Sequence, residues 1–122
     1  MIRIVIEGRY HGLNEFIDAN RRGSGKWNAG NDMKRDDQTL IAMQIPRIKL
    51  RCPIRIRYYF FEPNKRRDKD NISGYFHKVF QDALVQRGVI PNDTWANIES
   101  MEDLFSVDAK HPRIEVEIYD AE

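Results

Sequence analysis

Cysteine is nearly absent from this chain, and long apolar runs are missing altogether. The one cysteine, Cys52, has no partner for an intramolecular disulfide, which argues against a disulfide-stapled secreted domain and suits a reducing cytosol. No stretch approaches the roughly 18 apolar residues of a membrane span, so no membrane partner is expected. The opening MIRIVIEG is too short and too charged to act as a signal peptide, which leads to the expectation of a cytoplasmic protein. There is no internal repeat and no low-complexity segment. Missing as well are a phosphate-binding glycine loop, a nucleophile elbow and a zinc-ligand cluster. His11, His77 and His111 are scattered without a paired metal spacing, so each reads as a surface histidine.

Charge, by contrast, is plentiful. Charged residues make up 32% of the 122 positions, against roughly 25% in an average domain. The 41% hydrophobic content and this length suit one domain, residues 1–122, burying about two-thirds of its unfolded surface. A net charge of +1 conceals an asymmetry: residues 1–67 carry 15 basic against 7 acidic side chains, residues 68–122 carry 5 against 12. Either a basic surface holds a polyanion while carboxylates gather for another purpose, or the two halves interleave and neutralise each other.

Hydrophobic periodicity outlines the elements. Ile2, Ile4 and Ile6 alternate as in a strand, and Leu13, Phe16 and Ile17 mark the inward side of a short helix ending near Arg22. Residues 23–31 are a Gly- and Asn-rich loop. Residues 32–45 fit a helix through Met33, Leu40 and Ile41, or a strand through Ile41, Met43 and Ile45. Ile54, Ile56, Tyr58 and Phe60 alternate in the clearest strand, 52–61. The clearest helix then carries Ile72, Tyr75, Phe76, Val79, Phe80, Ala83 and Leu84, with Gly88 at its C-terminal cap. Strands follow at about 97–107 and 113–119. That order predicts an α+β fold with a small mixed sheet packed against helices.

One constellation carries chemistry. Asp68 and Asp70 lie two apart before that helix, and in extended chain such residues point the same way. Two hard oxygen ligands suit Mg²⁺, which keeps its other positions for water and phosphate. Lys65, Arg66, Arg67 and Lys69 flank the pair and can hold a phosphate backbone; equally, the segment reads as a salt-bridged surface loop. Asp93 follows the helix and offers a third carboxylate. About sixteen helical residues would separate the helix ends by roughly 24 Å, and the five residues from Val89 to Asp93 span at most about 17 Å. Asp93 therefore joins the pair only if the helix is short, if the metal lies beside its body, or across a dimer. Lys78, on the helix's polar side, can approach the acids or pair with Asp82 four residues on.

The ordered segments RRDKDNI (66–72), DAL (82–84), GVI (88–90) and ND-x-W (92–95) resemble the RusA family of Holliday-junction resolvases. GLNEFIDANRR (12–22), GN and MK within 30–34, and PRIEVEI (112–118) are similar to its Gram-positive and phage branch. The resemblance runs nearly end to end. It implies a homodimeric α+β nuclease that binds four-way DNA junctions and nicks two strands symmetrically with Mg²⁺. The family's metal-binding and catalytic acids fall on Asp68, Asp70 and Asp93, and its catalytic lysine on Lys78. The Asp70–Lys78 interval is about one helical turn longer than in the shorter bacterial form, and Asn92 stands where some relatives carry an acid. DNA arms would track over Arg21, Arg22, Lys26, Lys34, Arg47, Lys49 and Arg51, together with Lys65, Arg66, Arg67 and Lys69. Two other readings remain: a catalytically silent branched-DNA-binding protein, and a broader nuclease of flaps and forks.

Overall fold

A computed structural model describes residues 1–22 and 28–121. The elements run β1 (Ile2–Glu7), α1 (Leu13–Asn20), α2 (Ala29–Ala42), β2 (Ile54–Glu62), α3 (Lys69–Gln86), β3 (Ile98–Val107) and β4 (Arg113–Tyr119). The strands form one mixed sheet in the order β1-β4-β2-β3. β2 pairs with β3 in parallel, and the other pairings are antiparallel. This is an α+β fold of the kind the periodicity predicts. Among the described residues no helix is long and apolar enough to cross a membrane.

Residues 29–42 resolve as helix, not strand, because Asn28 caps the segment: its side chain accepts from the Gly30 and Asn31 amides at 2.7 and 3.1 Å. The expected loop therefore ends at residue 28, and its residues 23–27 lie outside the described part. Helix α1 stops at Asn20, two residues earlier than expected, and Ile17 faces outward at 41% exposure while Ala19 is fully buried. At the end of α3, Gly88 has φ +75°. The Gly88 amide donates to Val85 and the Val89 amide to Leu84, which is the Schellman pattern that closes a helix through a left-handed glycine.

The parallel pairing of β2 and β3 needs a crossover that spans the sheet, and α3 supplies it. Its apolar side lies on the inner sheet face, where Tyr58, Phe60, Phe76 and Phe80 pack ring to ring at 5.5–6.0 Å. These rings join Ile4, Ile6, Ile41, Val79, Leu84, Val116 and Ile118 in one buried cluster.

The opposite sheet face settles the charge question for the strands. Strands β1 and β2, from the first half, interleave with β4 and β3, from the second, and ion pairs run across them: Arg3 with Glu115 and Glu117, Arg55 with Glu99, Arg57 with Glu102. Glu117 is only 7% exposed, but Arg3 and the Tyr59 hydroxyl donate to it at 3.1 and 3.0 Å. The two halves of the sequence interleave here and neutralise each other. Burial works to raise the Glu115 carboxyl, yet hydrogen bonds from Arg113 and Arg3 outweigh it and leave it below the ordinary glutamate range.

Two outcomes follow from this packing. Phe76→Ala should cost about 3–5 kcal/mol in urea unfolding, because the ring is fully enclosed and the site cannot collapse around the hole. Glu115 has a depressed folded pKa, so its contribution is present above the unfolded value and lost as pH falls through the folded one. Glu115→Gln should therefore be less stable than the parent near neutral pH by roughly 1 kcal/mol. Denaturant midpoints should converge as the pH drops below the ordinary glutamate range.

Candidate metal and nucleic-acid site

The β2–α3 connection leaves the sheet at the carboxyl end of β2. Asn64 turns it by accepting the Arg66 amide at 3.0 Å, and Arg67 folds back onto Glu62, the last residue of β2, through bonds of 3.0 and 2.9 Å. The next residue, Asp68, is the N-cap of α3, with extended backbone (φ −67°, ψ 151°) and no side-chain capping hydrogen bond. An N-cap aspartate ordinarily accepts from the helix amides, an interaction worth about 0.5–2 kcal/mol. The Asp68 carboxylate is withheld from that role.

Asp70, in the first turn of α3, is exposed too. Among the described residues neither carboxylate makes a hydrogen bond or an ion pair, although four basic residues surround them in sequence. Both line a groove of about 720 Å³ with Lys65, Lys69, Phe105 and Ser106. The Lys69 ammonium lies 5.6 Å from the centre of the Phe105 ring, so the end of β3 forms the apolar wall. Two free carboxylates beside a helix N-terminus and next to solvent fit a Mg²⁺ ion, which takes one or two carboxylates and keeps several waters.

Asp93 does not join them. Among the described residues no three His, Cys, Asp or Glu side chains come together to hold a metal. The reason is topological. α3 crosses the sheet for 18 residues, so the connection before it and the connection after it lie at opposite ends of the helix. Asp93 sits in the second, in a separate cavity of about 380 Å³ with Gln81, Thr94, Trp95 and Met101. Within one chain the pair and Asp93 thus line separate cavities, which leaves the route across a dimer for bringing them together. Lys78 belongs with Asp93: its ammonium lies 3.5 Å from Asp82 and 3.9 Å from Asp93. Asp82 also binds Lys34, from α2, at 2.6 Å.

The basic residues separate into free and committed ones. Arg21 and Arg22 are exposed at the end of α1, and Lys26 falls outside the described residues. Arg47, Lys49, Arg51, Lys65 and Arg66 are exposed, with no side-chain ion pair among the described residues. Lys34 and Arg67, both expected on DNA, are instead taken up by Asp82 and Glu62.

One constellation escaped the sequence reading. Asp37, 6% exposed, receives the Tyr75 hydroxyl at 2.7 Å, and the same oxygen lies 2.6 Å from His11 Nδ1. Burial and then the Asp37 hydrogen bond push the Tyr75 phenol far above its ordinary value. His77 is likewise half-buried against Asp103 at 2.7 Å, and His111 pairs with Glu7 at 2.6 Å. No spacing signals these pairs, whose members lie 26 to 104 residues apart. No protein-family model matches the chain, and no curated protein matches it.

Because the Asp70 side chain holds nothing in place, Asp70→Asn should fold normally. Loss of its favourable charge in the first helical turn should cost no more than about 1 kcal/mol in urea unfolding.

Proposed function

We propose that this chain is a Mg²⁺-dependent, structure-specific endonuclease of the RusA type that acts as a homodimer on branched DNA, with the four-way junction as substrate. The observation that carries the reading is the pair of carboxylates, Asp68 and Asp70, unpartnered among the described residues although Lys65, Arg66, Arg67 and Lys69 adjoin them. In an ordinary surface loop such acids would pair with the lysines and arginines beside them. The ordered motifs around the pair, and their likeness to the resolvases, support the same conclusion.

Asp68 and Asp70 would hold the ion. When bound, Mg²⁺ lowers the pKa of a water and neutralises charge on the scissile phosphate. One of the two carboxylates accepts the proton of the attacking water. Lys65 and Arg66 hold the phosphates on either side, and the free basic residues of the first half follow the arms of the DNA. Asp93 and Lys78 contribute to this centre only across a twofold dimer, a symmetry matching the two related phosphates of a junction. A second reading, a branched-DNA-binding protein without cleavage, draws on the absence of a third carboxylate beside the pair within one chain.

Incubating the protein with a labelled four-way junction, a flap, a fork and linear duplex, with and without Mg²⁺, separates these readings. Paired symmetric nicks on the junction alone, abolished in Asp70→Asn while binding survives, are expected. Binding without cutting in any divalent metal would establish the silent reading. Cutting of flaps and forks as fast as junctions would widen the substrate class.

A further inference from the structure

We infer that Arg67, a member of the basic run expected to bind phosphate, is instead a positioning residue that sets the backbone carrying Asp68 and Asp70. This rests on the reading of that pair as a divalent-cation site.

The geometry is specific. Arg67 Nε and one terminal nitrogen donate to the two oxygens of Glu62 at 3.0 and 2.9 Å, a bidentate fork. The other terminal nitrogen donates to the Tyr10 carbonyl at 2.9 Å. Their side chains are only 11% and 9% exposed, so this guanidinium has little surface left for a phosphate. A second guanidinium, Arg9, stands 3.8 Å from Glu62 on its exposed side. Glu62 is itself anchored, because its backbone carbonyl accepts the Asp108 amide at 2.8 Å and ties the ends of β2 and β3 together. Arg67 thus joins the end of the sheet, the β1–α1 connection and the start of α3, one residue before Asp68.

Among the described residues neither carboxylate makes a hydrogen bond or ion pair, so their placement depends on the backbone that carries them. Two like charges must also be held side by side before a cation arrives, and a loosened loop lets them separate. Lys65 and Arg66 have no such commitment and stay available to phosphate. One basic run is thereby divided between holding the site and holding the substrate.

The test uses the full chain, with Mn²⁺ alone as a paramagnetic probe in the absence of DNA. Wild type should bind the ion, and Asp70→Asn should abolish that binding. Arg67→Gln and Glu62→Gln should each weaken it by about tenfold or more, the range typical when a partner supporting a ligand is removed. Arg66→Gln, which removes a positive charge near the pair, should not weaken it. Val79→Ala, a core change in the same helix, is the control: it should lower thermal stability yet keep wild-type Mn²⁺ affinity. In junction binding, Arg66→Gln should reduce the slope of log affinity against log salt by about one, and Arg67→Gln should not.

If Arg67→Gln and Glu62→Gln bind Mn²⁺ as wild type does, the positioning role falls while the metal site stands. If Val79→Ala weakens binding as much as they do, the effect is general destabilisation and the role falls likewise. If wild type takes up no Mn²⁺, or uptake survives Asp70→Asn, the metal reading falls and takes this inference with it.

Discussion

The parallel pairing of β2 with β3 governs most of what this protein can do. Parallel neighbours cannot be joined by a tight turn, so the chain must cross from one end of the sheet to the other. α3 makes that crossing and buries its apolar side on the way, giving the core its four stacked and edge-on aromatic rings. The same crossing assigns the loop before α3 to one end of the sheet and the loop after it to the other. Asp68 and Asp70 therefore share a groove with the carboxyl end of β3, while Asp93 lies beside its beginning. The local helix–strand contacts run in step with this arrangement: Gln81 meets Met101, His77 meets Asp103 and Lys69 meets Phe105.

Electrostatics follow the strand order. Strands β1 and β2 come from the first half of the chain and β3 and β4 from the second, and the order β1-β4-β2-β3 sets Glu117 of β4 between Arg3 of β1 and Arg57 of β2. Arginines and glutamates that are far apart in sequence meet on the outer sheet face and cancel there. Among the described residues, positive charge without an ion pair lies in connections and at helix ends, including Arg21, Arg22, Arg47, Lys49, Arg51, Lys65, Arg66 and Lys110. The unpaired Asp68 and Asp70 stand out against this background, since a carboxylate left free among free cations forgoes an attraction that most of its counterparts satisfy.

Local pattern made much of the fold legible. The period-2 alternation of Ile54, Ile56, Tyr58 and Phe60 and the helical spacing from Ile72 to Leu84 identified the central strand and the crossover helix, because burial of one face is what creates those periods. Gly88 marked the helix end because a left-handed residue is needed there. Residues 32–45 were ambiguous for an equally physical reason: α2 buries few apolar side chains, and its start is set by the Asn28 cap rather than by a hydrophobic stripe. Ile17 misled because a helix of eight residues has room for only a narrow inward face.

At the site, adjacency along the chain determined the acidic pair and its basic surroundings, although α3 starts at Lys69 and Asp70 falls in its first turn rather than in the extended chain expected. Which of those bases are free was decided only by tertiary structure. Arg67 and Lys34 have the same composition and local context as their neighbours, and only the folded chain brings Glu62 and Asp82 to them. The same holds for the buried Asp37–Tyr75–His11 cluster and for the separation of Asp93 from Asp68 and Asp70. Short-range spacing constrains which side chains start out together. Which ones finish together depends on long-range pairing, and here on the helix that parallel strands require.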